Sequence, residues 1–526
     1  MGSNPRLKAA CNAWAEIVGA EHVVVDAAVL ERVSTATFAT EARVAAVVRP
    51  ASTEQVRAVL AVANQQRVTV YPTSQGKNWG LGSKVPTSDG AVLLDLGRMR
   101  GISEFDDALG CVRVEAGVTF HELYAFLVEH ASTCFLNVTG SSPDASVLAN
   151  AIERGDGAGP NGYRFGHVSD LEVVLPDGEL LHTGFRRFGP NAVNGLHRYG
   201  VGPALDGLFS QSNLGVVTRL TLWLAPIARA LGVARFRLTD KKRLPALVDA
   251  LRVLRREGTL RANVALANDL RVLSTLQQFP FREAQNQRPL SAALAAQMGE
   301  ALGGAKWFGL TAVYAASEGQ CAANLARVRQ LLAPVVDELE VQHSSGDPKS
   351  GQELFPADDP ALRFLQGIPH EGSLRSLYWR KKAPAPAQLD PEGDRCGVLW
   401  LCPTLPFRGN DAAVAAGIVE DICPEFGFEP LTVLLAPTER MLFLVPLIIF
   451  DRDDPGDDER ALFCHDALLA KLNAHGYLPH RLGIQSMRGV PKSVDSFDAT
   501  IARLKQLLDP NGILAPGRYD FGARQQ

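Results

Sequence analysis

The sequence predicts an α+β fold in which an opening unit is interrupted by an antiparallel-sheet unit and completed by the last segment of the chain. Three observations predict it. At 526 residues the chain exceeds what a single hydrophobic core serves, so two or more domains are expected. A strand–helix–strand pattern over residues 45–71 leads into a loop of small residues, and strands and helices alternate again from residue 233 to residue 475. The turn-rich residues 509–519 (DPNGILAPGRY) share the texture of the opening, which makes the first domain discontinuous and the middle an inserted cap.

Residues 5–30 open with a helical stretch that ends near Gly19, and residues 45–49 read as a strand. Residues 52–65 (STEQVRAVLAVANQ) form an amphipathic helix. Ser52 or Thr53 caps it, Glu54 sits in its first turn, and Val56, Val59, Leu60 and Val62 recur at helical spacing. A strand at 68–71 delivers the chain to the loop 72–82 (PTSQGKNWGLG). Strands at 91–96 and 111–115 and a helix at 119–129 precede a second small, polar loop, 137–155 (NVTGSSPDASVLANAIERG), which turns helical at 146–153. Pro176, Asp177 and Gly178 between apolar runs at 170–175 and 180–183 signal a hairpin, and 214–224 read as a strand. From Ile227 the pattern changes to strands at 233–238, 307–314, 398–402, 432–435 and 442–450. Helices at 243–257, 322–338, 412–426 and 457–475 accompany them, and an antiparallel sheet with helices on one face is the economical arrangement. Residues 343–395, rich in Pro, Gly, Asp and Ser, read as a long loop region, and 496–508 as a final helix.

The two small-residue loops carry the chemistry. Small residues and positive-φ positions let successive backbone N–H groups turn to one side and cradle an anion, and a helix start adds further N–H donors. Two such loops suit a diphosphate with a flat ring beyond it. Either loop alone also reads as an ordinary turn of an α/β domain.

Hydrophobic residues make up 46% and charged residues 21% of the chain, the proportions of a globular protein. A net charge of −4, without a basic stripe, argues against a nucleic-acid partner. The eight cysteines form no CxxC pair and no zinc-type spacing, so no metal is expected and they read as buried thiols of a reducing compartment. The opening residues carry no apolar signal core, and the longest apolar run, 442–450, is broken by Pro446 and too short to span a bilayer. A soluble, cytoplasmic protein with no membrane contact is expected.

Seven stretches, in chain order, resemble the vanillyl-alcohol oxidase and para-cresol methylhydroxylase (PCMH) family of FAD-dependent oxidoreductases. They are GKNWGLG (76–82), VLLDLGRM (92–99), VEAGVTFHELYAFL (114–127), VTGSSPDASVLANAIERG (138–155), LEVVLPDGELLHTG (171–184), YGVGPALDGLFSQSNLGVVT (199–218) and DPNGILAPGRY (509–519). The resemblance implies a PCMH-type FAD-binding domain of two α+β subdomains, residues 1–226 with a C-terminal return at 481–526. It also implies an inserted antiparallel-sheet cap domain, residues 227–480, over the flavin ring. Pro72, Thr73, Ser74, Gln75, Gly76, Lys77, Asn78 and Gly82 are implied as cofactor-binding, with residues 74–78 at the pyrophosphate. Thr139, Gly140, Ser141, Ser142, Ala145, Ser146, Asn150 and Gly155 are implied to line the cofactor, and Val216 and Val217 to meet its adenine end. Arg518 matches a cationic position near flavin N1 and C2=O, where a fixed cation stabilises the charge left by hydride addition. Its alternative is a solvated surface arginine.

Two departures bear on the reaction. Many members hold FAD covalently through a His or Tyr of the cap or a His of the first loop. Here 72–82 contains no His, and the matching cap strand reads Met441, Leu442, Phe443, Leu444, Val445, so non-covalent FAD is expected unless a cysteine or histidine elsewhere attaches it. The phenol-oxidising members bind phenolate with two tyrosines and an arginine. The loop tyrosine corresponds to Leu81, and the Tyr-Arg pair to His480 and Arg481. The acidic residue and the His of the family's PYG(D/E)HF stretch become Tyr163 and Arg164. Leu81 cannot donate a hydrogen bond to a phenolate oxygen. What remains is cationic, and arginine suits a two-pronged hold on a carboxylate. Arg481, His480, Tyr163 and Arg164 are therefore the candidate catalytic residues, with the near-neutral pKa of His480 suiting a general base. For Arg481 the alternative is service to the reduced flavin or to the fold alone.

The implied activity is hydride transfer from a substrate carbon to flavin N5, with reoxidation by O2 or an unidentified acceptor. A carboxylate-bearing intermediate of secondary metabolism is the expected substrate, undergoing oxidative decarboxylation or desaturation. Oxidation of para-alkylphenols or of an alcohol is the alternative, and a non-catalytic flavin-binding protein is the alternative from another class. The family's frequent dimers allow a homodimer, although no interface is legible.

Overall fold

A computed structural model describes residues 4–355 and 359–521 of the chain; the remaining residues of the expected first and cap domains lie outside it. Three parallel strands, Ala46–Val48, Val92–Asp95 and Val70–Thr73, start the fold, with Val23–Val24 antiparallel at one edge. Val56, Val59, Leu60 and Ala63 of the helix Thr53–Gln66 are fully buried, and Ser52 caps it by accepting from the Gln55 N–H at 3.3 Å. Trp14 of the helix Pro5–Val18 donates its indole N–H to the Val59 carbonyl at 3.0 Å. The last segment closes this sheet: the Val70 N–H donates to the Ile513 carbonyl at 2.8 Å, and the Ala515 N–H to the Val70 carbonyl at 2.9 Å. The chain's two ends thus share one core, with Ile513 and Leu514 buried beside Val70 and Val92.

A second, antiparallel sheet runs Ile102–Asp106, Cys111–Glu115, Val216–Trp223, Val168–Val174, Leu180–His182. The third is an eight-stranded antiparallel sheet built from residues 230–451, whose order begins Glu338–Ser345, Ala230–Leu238, Trp307–Ala315. Its longest strand, Met441–Asp451, sorts its side chains by the period of two. Leu442, Leu444, Ile448 and Phe450 face one core, and Phe443, Val445, Leu447 and Ile449 face another. The first face is covered by the helices Leu244–Arg256, Glu318–Leu332, Gly409–Glu425 and Asp457–Ala474. Leu244, Leu247, Val248, Leu251 and Leu254 put one stripe of the first of these into that core, each contributing about 1.5–3 kcal/mol of burial.

Three details differ from the sequence expectation. Helices lie on both faces: Asp269–Leu276 and Ala292–Glu300 pack against the second face through Leu270, Leu294 and Met298. The expected helix 322–338 ends at Leu332, two residues before Pro334. The alternation of Glu338, Leu339, Glu340 and Val341 belongs to an edge strand, Glu338–Ser345. The strands Ile102–Asp106 and Ala265–Asn268 were not expected. Residues 343–395 are mostly loop, with one short helix, Pro360–Leu365, and a 3₁₀ turn, Gly372–Tyr378.

Candidate active site

The two small-residue loops meet at one turn. Ser74 Oγ donates to the Ala116 carbonyl at 2.5 Å, Gln75 Nε2 to the Gly117 carbonyl at 2.6 Å, and Ser146 Oγ also to Ala116 at 2.7 Å. Ser141 Oγ donates to the Lys77 carbonyl at 3.2 Å, which ties the second loop to the first. Pro72 and Thr73 end their strand at the mouth of the first loop. Gly76 (φ 72°), Gly80 (φ 75°) and Gly82 (φ 122°) take left-handed conformations there. A side chain at Gly80 would also run into the Trp400 ring, so this loop lies directly against the cap. Ser146 caps the helix Val147–Ile152, accepting from the Ala149 N–H at 3.0 Å. That helix is six residues long, shorter than expected. Ser142 and Ala145 brace the loop by accepting from the Asp144 and Phe120 N–H groups at 3.1 Å each. Thr139 and Gly140 form its rim, with Gly140 exposed. Gly155 returns its N–H to the Asn150 carbonyl at 2.7 Å. Val216 and Val217 pair with Val174 and Val173, and their side chains are in the core.

Arg518 is not a surface arginine. Its Nη2 donates to Glu153 Oε1 at 2.5 Å and its Nη1 to the Tyr71 hydroxyl at 2.8 Å. Burial works against its charge, but the Glu153 carboxylate beside it outweighs burial and raises its pKa. Glu153 in turn resists ionisation through burial, and Arg518 and then Arg481 overcome that and lower its pKa. Arg481 donates from Nη2 to Asn78 Oδ1 at 2.7 Å, while its Nε is sealed from solvent with no partner among the described residues. His480 packs flat on Phe443, with ring centroids 3.7 Å apart and 10° between planes.

The structure corrects the reason for choosing His480. Burial, with the nearby Arg481 charge, pushes its pKa down to about 3, despite the hydrogen bond from Nδ1 to the Cys402 carbonyl at 2.8 Å. The ring is neutral, Nδ1 carries the proton, and Nε2 offers a weakly basic lone pair. Leu81 is buried, with its carbonyl accepting from the Ile484 N–H at 3.0 Å.

Arg164 does not join the Arg481 pair. It is 1% exposed and turned into its own loop, where Nε donates to Asn150 Oδ1 at 2.6 Å and the guanidinium lies 4.9 Å from the Phe120 ring centre. Its two Nη atoms have no hydrogen-bond partner among the described residues. Tyr163 packs instead against the second face of the cap sheet with Trp79 and Trp400. Three residues of this region were missed in the sequence: Asn137, Asp156 and, from the cap, Asn263, whose Nδ2 donates to Asp156 Oδ2. Burial lifts the Asp156 pKa to about 6, against the pull of the Gly157 N–H and Arg164. No acid stands at the family's acidic position, so only the fold could show an acid arriving from earlier in the loop.

The residues present fit a flavin nucleotide. Sealed donors with no partner among the described residues stand at the first loop, on Trp79 within it and on Arg481 bonded to its Asn78, and FAD is rich in acceptor oxygens. A cavity of about 40 Å³ lined by Tyr124, Phe135, Leu231 and Tyr314 involves none of the expected site residues. Among the described residues no group of three His, Cys, Asp or Glu side chains is arranged to hold a metal ion.

The FAD binding domain family matches residues 44–184. The chain is 44% identical to the 1'-carboxy-chondrochloren decarboxylase of Chondromyces crocatus over 99% of its own length and 98% of that protein. The chain belongs to the vanillyl-alcohol oxidase and PCMH family. The flavoprotein subunit of 4-cresol dehydrogenase [hydroxylating] from Pseudomonas putida is 26% identical, over 90% of this chain and 87% of that one. The crystal structure of p-cresol methylhydroxylase with substrate bound superposes with a TM-score of 0.90 at 24% identity, covering 98% of this chain and 97% of that one, which shows the shared fold. A PCMH-family chain of this kind is an FAD-dependent oxidoreductase, and the alternative of flavin binding without catalysis falls away. Among the described residues no helix is long and apolar enough to cross a membrane.

Proposed function

We propose that this protein oxidatively decarboxylates a carboxylate-bearing intermediate of secondary metabolism. Bound FAD supplies the two-electron acceptor for a hydride leaving the substrate's β-carbon. The carboxylate then departs as CO2, and the electron pair of the broken C–C bond closes a new C=C bond, so atoms and charge balance without an added oxidant.

The observation that carries this reading is an exchange of groups. Where phenol-oxidising members place tyrosines, this chain has Leu81 and the neutral His480, while Arg164 is buried in the second loop and Arg481 is half-buried against Asn78 of the first. Buried guanidinium groups favour an anion that takes two hydrogen bonds. Trp79, Phe443 and Val445 share one buried apolar cluster, and Phe443 stacks on His480, so the cap side of the His480–Arg481 pair is apolar and limits water there. The name of the 44% identical relative, a decarboxylase of a carboxy compound, supports the same reading.

The cofactor contacts are those carried over from the family at 72–78, 82, 139–142, 145–146, 150, 155, 216–217 and 518. The division into 1–226, 227–480 and 481–526 is supported by two separate cores, one holding residues 10–224 with 513–514 and the other drawn mainly from 230–477. A cytoplasmic location is supported by eight free, buried thiols.

The test is anaerobic mixing of the holoenzyme with carboxylic acids that carry a β C–H, following flavin bleaching and CO2 release together. The reading expects the two in equal amounts. Bleaching by 4-alkylphenols at a comparable rate, without CO2, would sink it.

A further inference from the structure

The loop 137–164 holds more sealed polar chemistry than the carried-over flavin contacts use. Arg164 leaves both Nη atoms without a partner, and Asn137, also 1% exposed, leaves Nδ2 without one after its Oδ1 accepts from the Asn161 N–H at 2.9 Å. Opposite in character, Asp156 Oδ1 and Asn263 Oδ1 are sealed acceptors with no partner among the described residues. A buried guanidinium with two unmet donors is costly, and native proteins rarely keep one without a ligand for it. The fork of two Nη atoms matches two oxygens of one carboxylate. Gly157 fits this arrangement, because a side chain there would lie 2.6 Å from Arg164 Nη2.

We propose that Arg164 and Asn137 seat the ionised carboxylate of the substrate, with Asp156, held by Asn263 of the cap, taking up one proton when that carboxylate arrives. This rests on the oxidative decarboxylation proposed above and adds its anion-binding residues. Arg481 is the weaker candidate for the seat, because its Nη2 is committed to Asn78 and its charge faces Glu153 and Tyr519.

The proton follows from the charges. Asp156 faces Arg164 in its own loop and Arg255 of the helix Leu244–Arg256. Arg255 is already committed, donating to the carbonyls of Leu260, Ala262 and Pro437. Two carboxylates sharing one sealed seat cannot both stay ionised, and they titrate as a pair. Asp156, ionised at neutral pH by its position near 6, therefore draws a proton from water as the second carboxylate enters. When CO2 leaves, the second charge is gone and Asp156 releases that proton.

The experiment titrates the holoenzyme with 3-phenylpropanoate, and with the uncharged 3-phenylpropanamide as control, following the flavin absorbance from about pH 5 to about pH 8.5. The acid is expected to bind with a Kd that rises about tenfold per pH unit at the upper end, while the amide shows no such slope. Asp156→Asn should flatten the slope. Arg164→Met should weaken acid binding by at least about tenfold and leave the amide unchanged. Asn137→Ala, a milder change, should weaken the acid by about three- to tenfold with FAD retained, and it carries the test if Arg164→Met loses the cofactor. Equal binding of acid and amide by the wild type overturns the proposal and assigns these donors to the cofactor. So does wild-type acid affinity in both donor variants, or a wild-type slope in Asp156→Asn. Release of CO2 with unchanged acid affinity in the variants overturns the seat alone. An acid that binds as expected but never loses CO2 overturns the proposed reaction alone.

Discussion

Glu153 answers two arginines with one carboxylate. It accepts from Arg518 at 2.5 Å and lies in the field of Arg481, and the Tyr519 hydroxyl donates to its second oxygen at 3.4 Å. Its pKa is lowered in the folded protein, so its stabilising effect is complete above the unfolded carboxyl value and is lost as pH falls through the folded one. Glu153→Gln should cost about 3–5 kcal/mol at neutral pH, because it strands the buried Arg518 charge. Denaturant unfolding at neutral and at acidic pH checks this. The gap between variant and wild type should close as the wild-type carboxyl protonates, and a gap that persists unchanged would mean that the pair is not electrostatic in origin. Glu153 and Asp156 show the limit of reading at this scale. Arg518, Arg481 and Arg164 were legible because they stand at matched family positions. Their partners were not, because Asp156 lies outside the family's acidic position and Asn263 comes from another part of the chain. A sequence gives no distance between such residues.

At the scale of elements, the strand Met441–Asp451 carries the expectation of non-covalent FAD. Its alternation sends Leu442 and Leu444 into the helix-covered core, and Phe443, Val445 and Leu447 to the face that carries Trp79 and Tyr163. Phe443 spends its ring on His480. Not one of these side chains can bond to a flavin carbon, so acid precipitation should leave the yellow colour in the supernatant. Colour kept in the pellet would place an attachment residue elsewhere. Strongly periodic elements of this kind were legible in the sequence, as were capped ones such as Thr53–Gln66. The edge strand Glu338–Ser345 was not, because its exposed, charged residues carry on the polar texture of the helix before it, although Pro334 between them is a stop signal for that helix. Ala265–Asn268 was too short to show a period, and only its pairing with Trp307–Ala315 and Leu431–Leu435 makes it a strand.

At the scale of the whole molecule, the cap is fastened to the rest by hydrogen bonds that converge on residues 36–39. The Val398 N–H donates to the Thr37 carbonyl at 2.8 Å, Thr37 Oγ1 donates back to the Val398 carbonyl at 3.2 Å, and the Gly80 N–H donates to the same hydroxyl at 2.9 Å. Arg452 Nη1 reaches the Ala36 carbonyl at 2.5 Å, and the Ala39 N–H donates to Asp458 at 2.9 Å. Ala36, Phe38 and Val85 are buried in the cap's own core, so part of the opening unit completes the cap. The first small-residue loop is thereby tied through Thr37 to the cap sheet. Unfolding the cap exposes Phe38 and releases Gly80, and losing Gly80 loosens the loop 72–82, which we propose holds the cofactor. The two cores should therefore melt in one calorimetric transition, and FAD should move the whole of it. At a free FAD concentration about 100 times its Kd, linkage adds about 2.7 kcal/mol to the stability of everything that unfolds with the site. Two transitions, with only the one assigned to the opening unit moving with FAD, would show that the Thr37 junction does not couple them.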